Sequence, residues 1–368
     1  MNSIIYVGMD VHTSNFTLCA FSPERNHSFA IVQTDPDVRF ILKYINKIQK
    51  IIGHPCSFVC GYEAGYLGFD LFHKLQSLNI DCVILAPSTI PSAPHELKTD
   101  RRDALKIAKA LAFNTYKPVH VPSEEDNAVS EYIRMRDDHK DTLKRIKQQI
   151  LAFCSRHGKT FDGKSNWTRK HFNWLRSLDF NNDILNETFR EYFTLLLQAI
   201  DKIDLFDRKI QELAHSDSYR DNVKKLSCFI GIREHTALAL LAEVSDFSRF
   251  PSAQNFSSFL GLVPSEHSSG NKNSKGSITK AGNKHLRMLL TEAAKCYTRG
   301  NFGKKSKALL DRQHGNSPQI IAYADKANER LKRKYHNLKF RTHYNVAVTA
   351  VARELACFVW GMMNNQID

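Results

Sequence analysis

Residues 98–111 read KTDRRDALKIAKAL, which sets Asp100 and Asp103 among Lys98, Arg101, Arg102 and Lys106. An acid at a helix start satisfies free N–H groups and suits the helix dipole. That accounts for one of the two. It accounts less well for both, because residues three apart share a helix face. Two more acids follow apolar runs: Asp10 after IIYVGM and Glu63 after CSFVCGY. Taken singly, each is more often a cap or a solvated charge. As a set, hard oxygen donors without Cys or His select Mg²⁺ or Mn²⁺ over zinc. A pair of such ions can activate an attacking oxygen and stabilise a leaving one during phosphodiester cleavage. Arg101 and Arg102 would then hold a phosphate backbone.

A second constellation is nucleophilic. SEHSSGNKNSK offers Ser265, Ser268, Ser269 and Ser274, with Gly270 and His267 beside them. A serine becomes a nucleophile only when a base or metal activates it in line, and most Ser-Gly pairs are turns. The third constellation is basic. Lys272, Lys275, Lys280, Lys284, His285 and Arg287 follow the serines, and Lys326, Arg330, Lys332, Arg333, Lys334, Lys339 and Arg341 follow later. Such runs usually form solvated faces. Here a formal net charge of +14 over 368 residues favours an anionic partner, nucleic acid first.

The elements that must position these residues show in the hydrophobic pattern. Strands are expected at 4–9, 16–21, 27–34, 56–62 and 81–87, with helices over 35–52 and 67–78 and from 98 onward. That order predicts a mixed α/β sheet, which places its chemistry at strand ends and helix starts. From about 119 the character changes. KPVHVPSEED reads as a linker, and Ser123 with Asp126 fits a capping box. Val129, Tyr132, Arg136, His139, Leu143, Ile146, Ile150 and Phe153 then form a heptad seam, echoed by Phe193, Leu196, Ile200, Ile203 and Ile210. An intramolecular hairpin and a dimerising coiled coil fit this pattern equally. The stretch 158–188 is polar and aromatic and gives no reading. FIGIREHTALALLAEV has the look of a phosphate-binding helix-hairpin-helix, though an ordinary helix pair explains it better. The eight scattered cysteines contain no C-x-x-C pair and read as free thiols rather than zinc ligands. The start of the chain lacks a signal-peptide pattern. Its apolar runs are too short to span a bilayer, so a cytoplasmic protein without membrane contact is expected.

In order along the chain, YVGMDVH, CGYEAGYLG, APSTIP, LKTDRRDALKIAKAL, GLVPSEHSSG and GSITKAGNKHLR match a known pattern. The chain resembles the DEDD transposases, the Piv-related recombinases of bacterial insertion sequences. The likeness runs over most of the chain and is weakest in about 155–220. Thr13 departs from it, standing where many relatives have Lys. The resemblance implies a RuvC-like (RNase H-like) α/β domain over 1–118 whose Asp10, Glu63, Asp100 and Asp103 bind Mg²⁺ or Mn²⁺. It implies a helical coiled-coil dimerisation region over 119–220, and a mostly α transposase domain over 221–368. There the nucleophile is the serine before the loop glycine, Ser269, with Ser268 its neighbour and competitor. It also implies homodimers pairing into tetramers, element ends and target as DNA partners, and a noncoding bridge RNA that guides their choice. Arg101, Arg102, Lys272, Lys275, Lys280, Lys284 and Arg287 are the expected nucleic-acid contacts. The resulting expectation is a Mg²⁺-dependent site-specific recombinase that cleaves DNA through a serine. The alternatives are a RuvC-like nuclease using activated water and a non-catalytic nucleic-acid-binding protein.

Overall fold

The computed structural model describes residues 3–65, 67–87, 99–266 and 275–367. It divides into two compact units, Met1–Val121 and Pro122–Asp368.

The first unit is built on strands β1 (Ser3–Val11), β2 (Phe16–Ser22), β3 (His27–Ser28), β4 (Val32–Thr34), β5 (Cys56–Glu63) and β6 (Asp81–Leu85). Helices α1 (Val38–Ile52), α2 (Asp70–Ser77) and α3 (Asp100–Ala112) alternate with them. The sheet order is β3-β2-β1-β5-β6, with β4 also on β2; β1 pairs antiparallel with β2 and parallel with β5, and β5 runs parallel to β6. The expected third strand is therefore two short ones. Between them Phe29 N–H still donates to Ala20 O at 2.9 Å.

Strand alternation sorts β1 into two faces. Ile5, Val7 and Met9 enter a core with Ile41, Tyr44 and Ile48 of α1 and Leu71 and Leu75 of α2. Tyr6, Gly8 and Asp10 therefore face the other way, toward α3. Tyr6 there joins a smaller cluster with Ile107, Ala110 and Leu111 of α3. The helix lies in a notch made by two glycines in register, Gly8 and Gly61. A Cβ on Gly8 would come 2.0 Å from Ala104 O and 2.3 Å from Ala108 N; one on Gly61 would come 2.8 Å from Leu111 Cδ1. The Gly8 contact is with helix backbone, which cannot swing aside. Gly8→Ala is therefore expected to destabilise the first unit by about 3 kcal/mol, while Gly65→Ala, which meets only Glu63 O at 3.8 Å, stays within about 0.5 kcal/mol. Far-UV circular dichroism melts of both variants check this. Trp167, Trp174 and Trp360 all belong to the second unit, so tryptophan fluorescence supplies an internal reference.

The second unit begins with α4 (Glu124–Arg156), α5 (Arg169–Arg176) and α6 (Asp183–Ala214). Ser123 Oγ caps α4 by accepting from Asp126 N at 3.0 Å. The Asp126 carboxylate does not complete the box; it accepts from Tyr219 Oη and Ser245 Oγ, both at 2.6 Å. The heptad seams of α4 and α6 meet each other within the chain. Val129 and Ile133 pack with Ile210 and Ala214 at one end, and Ile146, Ile150 and Phe153 with Phe189 and Leu196 at the other. In the polar middle, Arg136 Nε and Nη2 donate to Asp207 at 2.7 and 3.0 Å. The unread 158–188 stretch closes the far end of this hairpin. Leu175 and Phe180 are buried with Phe153, and Trp167 and Trp174 pack against them.

The remainder is helical: α7 (Arg220–Leu226), α8 (Glu234–Val244), α9 (Ala253–Phe259), α10 (Lys284–Lys295), α11 (Lys307–Gln313), α12 (Pro318–Leu338) and α13 (Tyr344–Met363). Between α9 and α10 lies a two-stranded antiparallel ribbon, β7 (Pro264–Glu266) with β8 (Lys275–Ile278). The turn between α7 and α8 is an ordinary helix connection. Its Ile230 N–H donates to Asn328 Oδ1 at 2.9 Å, and a Cβ on Gly231 would lie 2.3 Å from Ala293 O, so these groups face protein. One expectation is corrected: α13, 20 residues long, is apolar enough by length and composition to cross a membrane. A helix carries its charges, Arg353 and Glu354, on one side, so the sequence shows no unbroken apolar run. Here Val348, Val351, Ala352, Leu355 and Val359 are spent in the core of the second unit. All eight cysteines are unpaired.

Candidate metal centre and basic surface

Asp10 lies next to the end of β1 and Glu63 ends β5; the parallel register pairs Met9 with Tyr62, so the two acids share the same level one residue on. Gly8 and Gly61 face α3, and alternation puts Asp10 and Glu63, two residues later, on that same side. On α3, Asp100 stands one turn before Ala104, the residue that rests on Gly8. One helical turn and two strand residues cover about the same distance, roughly 5–7 Å. The notch therefore delivers Asp100 to Asp10. Neither α3 acid is needed as the cap, because Thr99 is the N-cap and its Oγ1 accepts from Arg102 N at 3.4 Å. That answers the excess of carboxylates at this helix start: their remaining tasks are electrostatic.

One ligand atom each of Asp10, His12 and Asp100 lies within 4.8 Å of the other two. His12 Nε2 is 3.4 Å from Asp10 Oδ1. Burial holds the Asp10 carboxyl above the usual range; Asp100 and Asp103 push it the same way, and His12 opposes them. Asp103 lies 3.7 Å from Lys106 Nζ. The donor chemistry fits a divalent cation: partly buried carboxylates crowd together, and among the described residues Lys106 stands beside Asp103 and His12 beside Asp10. Oxygen-rich sets of this kind suit Mg²⁺ or Mn²⁺, and an imidazole is compatible with Mn²⁺. Sequence reasoning left His12 out of the set. The signal was the Asp-x-His spacing at a strand end.

The basic constellation divides. Ser268, Ser269, Lys272, His267 and Ser274 lie outside the described residues, which bound them with β7 and β8. Ser265 Oγ donates to Ser277 O at 3.0 Å across that ribbon. Arg101, Arg102 and Lys284 are exposed, as is Lys280, which adopts φ 56° in the turn before α10. Arg287 reaches back inside, with Nη1 donating to Leu260 O at 2.8 Å.

His285 is not a surface cation. Its Nε2 is 2.9 Å from Asp137 Oδ2 and its Nδ1 faces Glu243 Oε1. With acceptors on both ring nitrogens, the imidazole must carry both protons. Burial opposes that charge, but the two carboxylates outweigh it and push its pKa up to about 9. Glu243, whose side chain is 1% exposed, also accepts from Arg134 Nη2 at 3.0 Å and Asn283 Nδ2 at 2.6 Å. Its pKa is held at about 2: burial raises it, and the donors of His285, Arg134 and Asn283 lower it further. Asp137 also accepts from Arg136 Nη1 at 2.8 Å. His235 Nε2 lies 3.2 Å from its Oδ1, close enough for an ion pair but out of line for a hydrogen bond. The network joins α4, α8 and the start of α10, the helix that follows β8.

Two family models match the chain. One, described as the transposase family IS116/IS110/IS902, covers residues 223–309. The other, a DEDD transposase domain of the IS110 type, covers residues 7–157. The chain is 33% identical to a transposase for insertion sequence element IS1533 from Leptospira borgpetersenii, over 92% of this chain and 98% of that protein. It is 32% identical to a transposase-named protein of Sinorhizobium fredii, over 97% of this chain and 88% of the relative. At 24% identity it also matches a pilin gene-inverting protein of Moraxella bovis, over 61% of each.

Proposed function

Because the chain belongs to the IS116/IS110/IS902 family of insertion-sequence transposases, we propose that its first unit is a RuvC-like metal-dependent domain acting with Ser269 on one scissile phosphodiester. The observation that carries this reading is the convergence of Asp10, Asp100 and His12 at one end of α3, beside the strand end that carries Glu63. Asp10, Glu63, Asp100 and Asp103 would hold Mg²⁺ or Mn²⁺, with His12 beside them. Such ions, when bound, supply Lewis-acid stabilisation of charge on the phosphate oxygens.

The other steps fall to the chain's own residues. Ser269 Oγ attacks phosphorus, forming a P–O bond to the serine as the bond to one deoxyribose oxygen breaks. The hydroxyl proton passes to a nearby base, and the leaving oxygen takes up a proton. Energy of the cut bond is thus kept in a phosphoserine link, and a second strand end can reverse the step. Arg101 and Arg102 at the start of α3 hold the backbone near the acids; Lys272, Lys275, Lys280, Lys284 and Arg287 hold it near the serine. Recombination of two element ends with a target needs more than one copy, which fits a homodimer paired into a tetramer. A noncoding bridge RNA from the element is the guide on this reading, and such a complex works in the cytoplasm.

Incubating the protein with its own element ends and flanking RNA in Mg²⁺ tests the proposal. The expected product is a covalent protein–DNA adduct whose attached peptide contains Ser269, absent with Ser269→Ala and on chelation. Undiminished cleavage by Ser269→Ala would instead assign the chemistry to activated water. An adduct mapped to Ser268 would move the nucleophile by one residue.

A further inference from the structure

The segment between α8 and α9 is fixed to the core by its backbone. Trp360 Nε1 donates to Phe250 O at 3.1 Å, Asn364 Nδ2 donates to Phe247 O at 3.4 Å, and Asp246 Oδ1 accepts from Ser248 N at 2.8 Å. On this rigid base sits Arg249. Its guanidinium carbon lies 4.3 Å from the ring centroid of Phe250 and 4.8 Å from that of Phe259. Its Nε is buried, with no acceptor among the described residues. An arginine with its guanidinium on two rings and its Nε unmatched is unusual, because leaving a buried donor without an acceptor is costly. Burial pushes its pKa down, and the nearby Asp246 opposes that shift without overcoming it. A cation kept in this way is pre-organised for an anion that arrives from outside, and a planar fork suits phosphate oxygens.

Phe259 links Arg249 to the basic block. Its carbonyl accepts from Asn283 N at 2.9 Å, and Gly261 O accepts from Lys280 N at 3.1 Å. The turn carrying Lys280 and Lys284 thus rests on the same end of α9 as Arg249. The geometry points to Arg249 as a binding residue for a backbone phosphodiester of nucleic acid, beside the ribbon that leads to the serine loop. This rests on the transposase reading and adds a contact to it.

The test uses the full chain and fluorescein-labelled 30-nucleotide probes, one DNA duplex and one single-stranded RNA, with anisotropy titrations at several salt concentrations. Arg249→Met keeps the length and the contact with the rings but removes the fork. The expected result is binding weakened about tenfold, with the slope of log affinity against log salt reduced by about one. The tryptophan-reported melting temperature should be unchanged or raised. Loss confined to one probe identifies whether DNA or RNA supplies the phosphate. Unchanged affinity and slope overturn the proposal, whatever the melting temperature does. Should Arg249→Met fail to fold, phenylglyoxal labelling of the wild-type chain decides: modification of Arg249 that bound probe does not suppress overturns the assignment. A Lys280→Ala, Lys284→Ala double variant separates the two levels. If it lowers the salt slope while Arg249→Met does not, nucleic-acid binding stands and only the Arg249 assignment falls.

Discussion

Asp10→Asn should abolish strand cleavage, lowering its rate by about 10³-fold, because an ion at such a site stabilises the transition state by several kcal/mol. The same substitution should leave the fold intact. Asp10 shares its corner with Asp100, so removing one of two neighbouring carboxylates relieves repulsion. This separates a ligand from a structural acid, whose removal would lower the melting temperature. Divalent ions supply an independent readout. Millimolar Mn²⁺ should raise the melting temperature of the wild-type first unit, since a ligand that binds only the folded state stabilises it by mass action. It should raise that of Asp10→Asn much less. His12→Ala should weaken the Mn²⁺ effect roughly 10- to 100-fold in apparent affinity without reproducing the loss in Asp10→Asn. Retained cleavage by Asp10→Asn, or an equal Mn²⁺ shift in both proteins, would remove the metal site from the account.

Glu243→Ala should destabilise the second unit by about 3–5 kcal/mol, the range for breaking a buried charge network by deleting one partner. The loss is large because Glu243 holds three donors at once: Arg134, Asn283 and His285. Asn283 is also the N-cap of α10, so the cap loses its anchor. Urea titrations followed by tryptophan fluorescence report this unit alone. A loss under about 1 kcal/mol would mean that the network is nearly neutral in net energy.

The pH dependence follows from the same groups. Glu243 falls from an ordinary 4.5 to about 2, so its contribution is present above 4.5 and disappears as pH falls toward 2. His285 rises from 6.5 to about 9, so its contribution is full below 6.5 and is lost as pH climbs through 9. Arg134 and Arg136 stay charged throughout, and Asp137 is held well below the usual carboxylate range by His235, His285 and Arg136 against the opposing effect of burial. Stability of the second unit should therefore peak between about pH 5 and 6.5 and decline on the alkaline side. In Glu243→Ala the alkaline decline should flatten, because His285 loses one of its two counter-charges.

The sequence by itself determined the order of strands and helices in the first unit and the presence of acids at their ends. Both are written locally, in runs of apolar residues, two of which close on an acid, Asp10 and Glu63. It also determined the α4 and α6 seams, since a repeat of three and four marks a buried stripe whatever it packs on. That the two stripes meet each other within the chain is a tertiary fact, marked by Arg136 donating to Asp207, 71 residues away. Tertiary structure alone made the acids a site. A notch at Gly8 and Gly61 seats α3, and only that seating brings Asp100 to Asp10 and lets His12 join them. It likewise withdrew His285 from the basic surface, because its partner Asp137 lies 148 residues earlier in the chain. Period and composition record which face of an element is apolar. They carry no record of which distant side chain will stand opposite, and the charge state of a buried group depends on that partner.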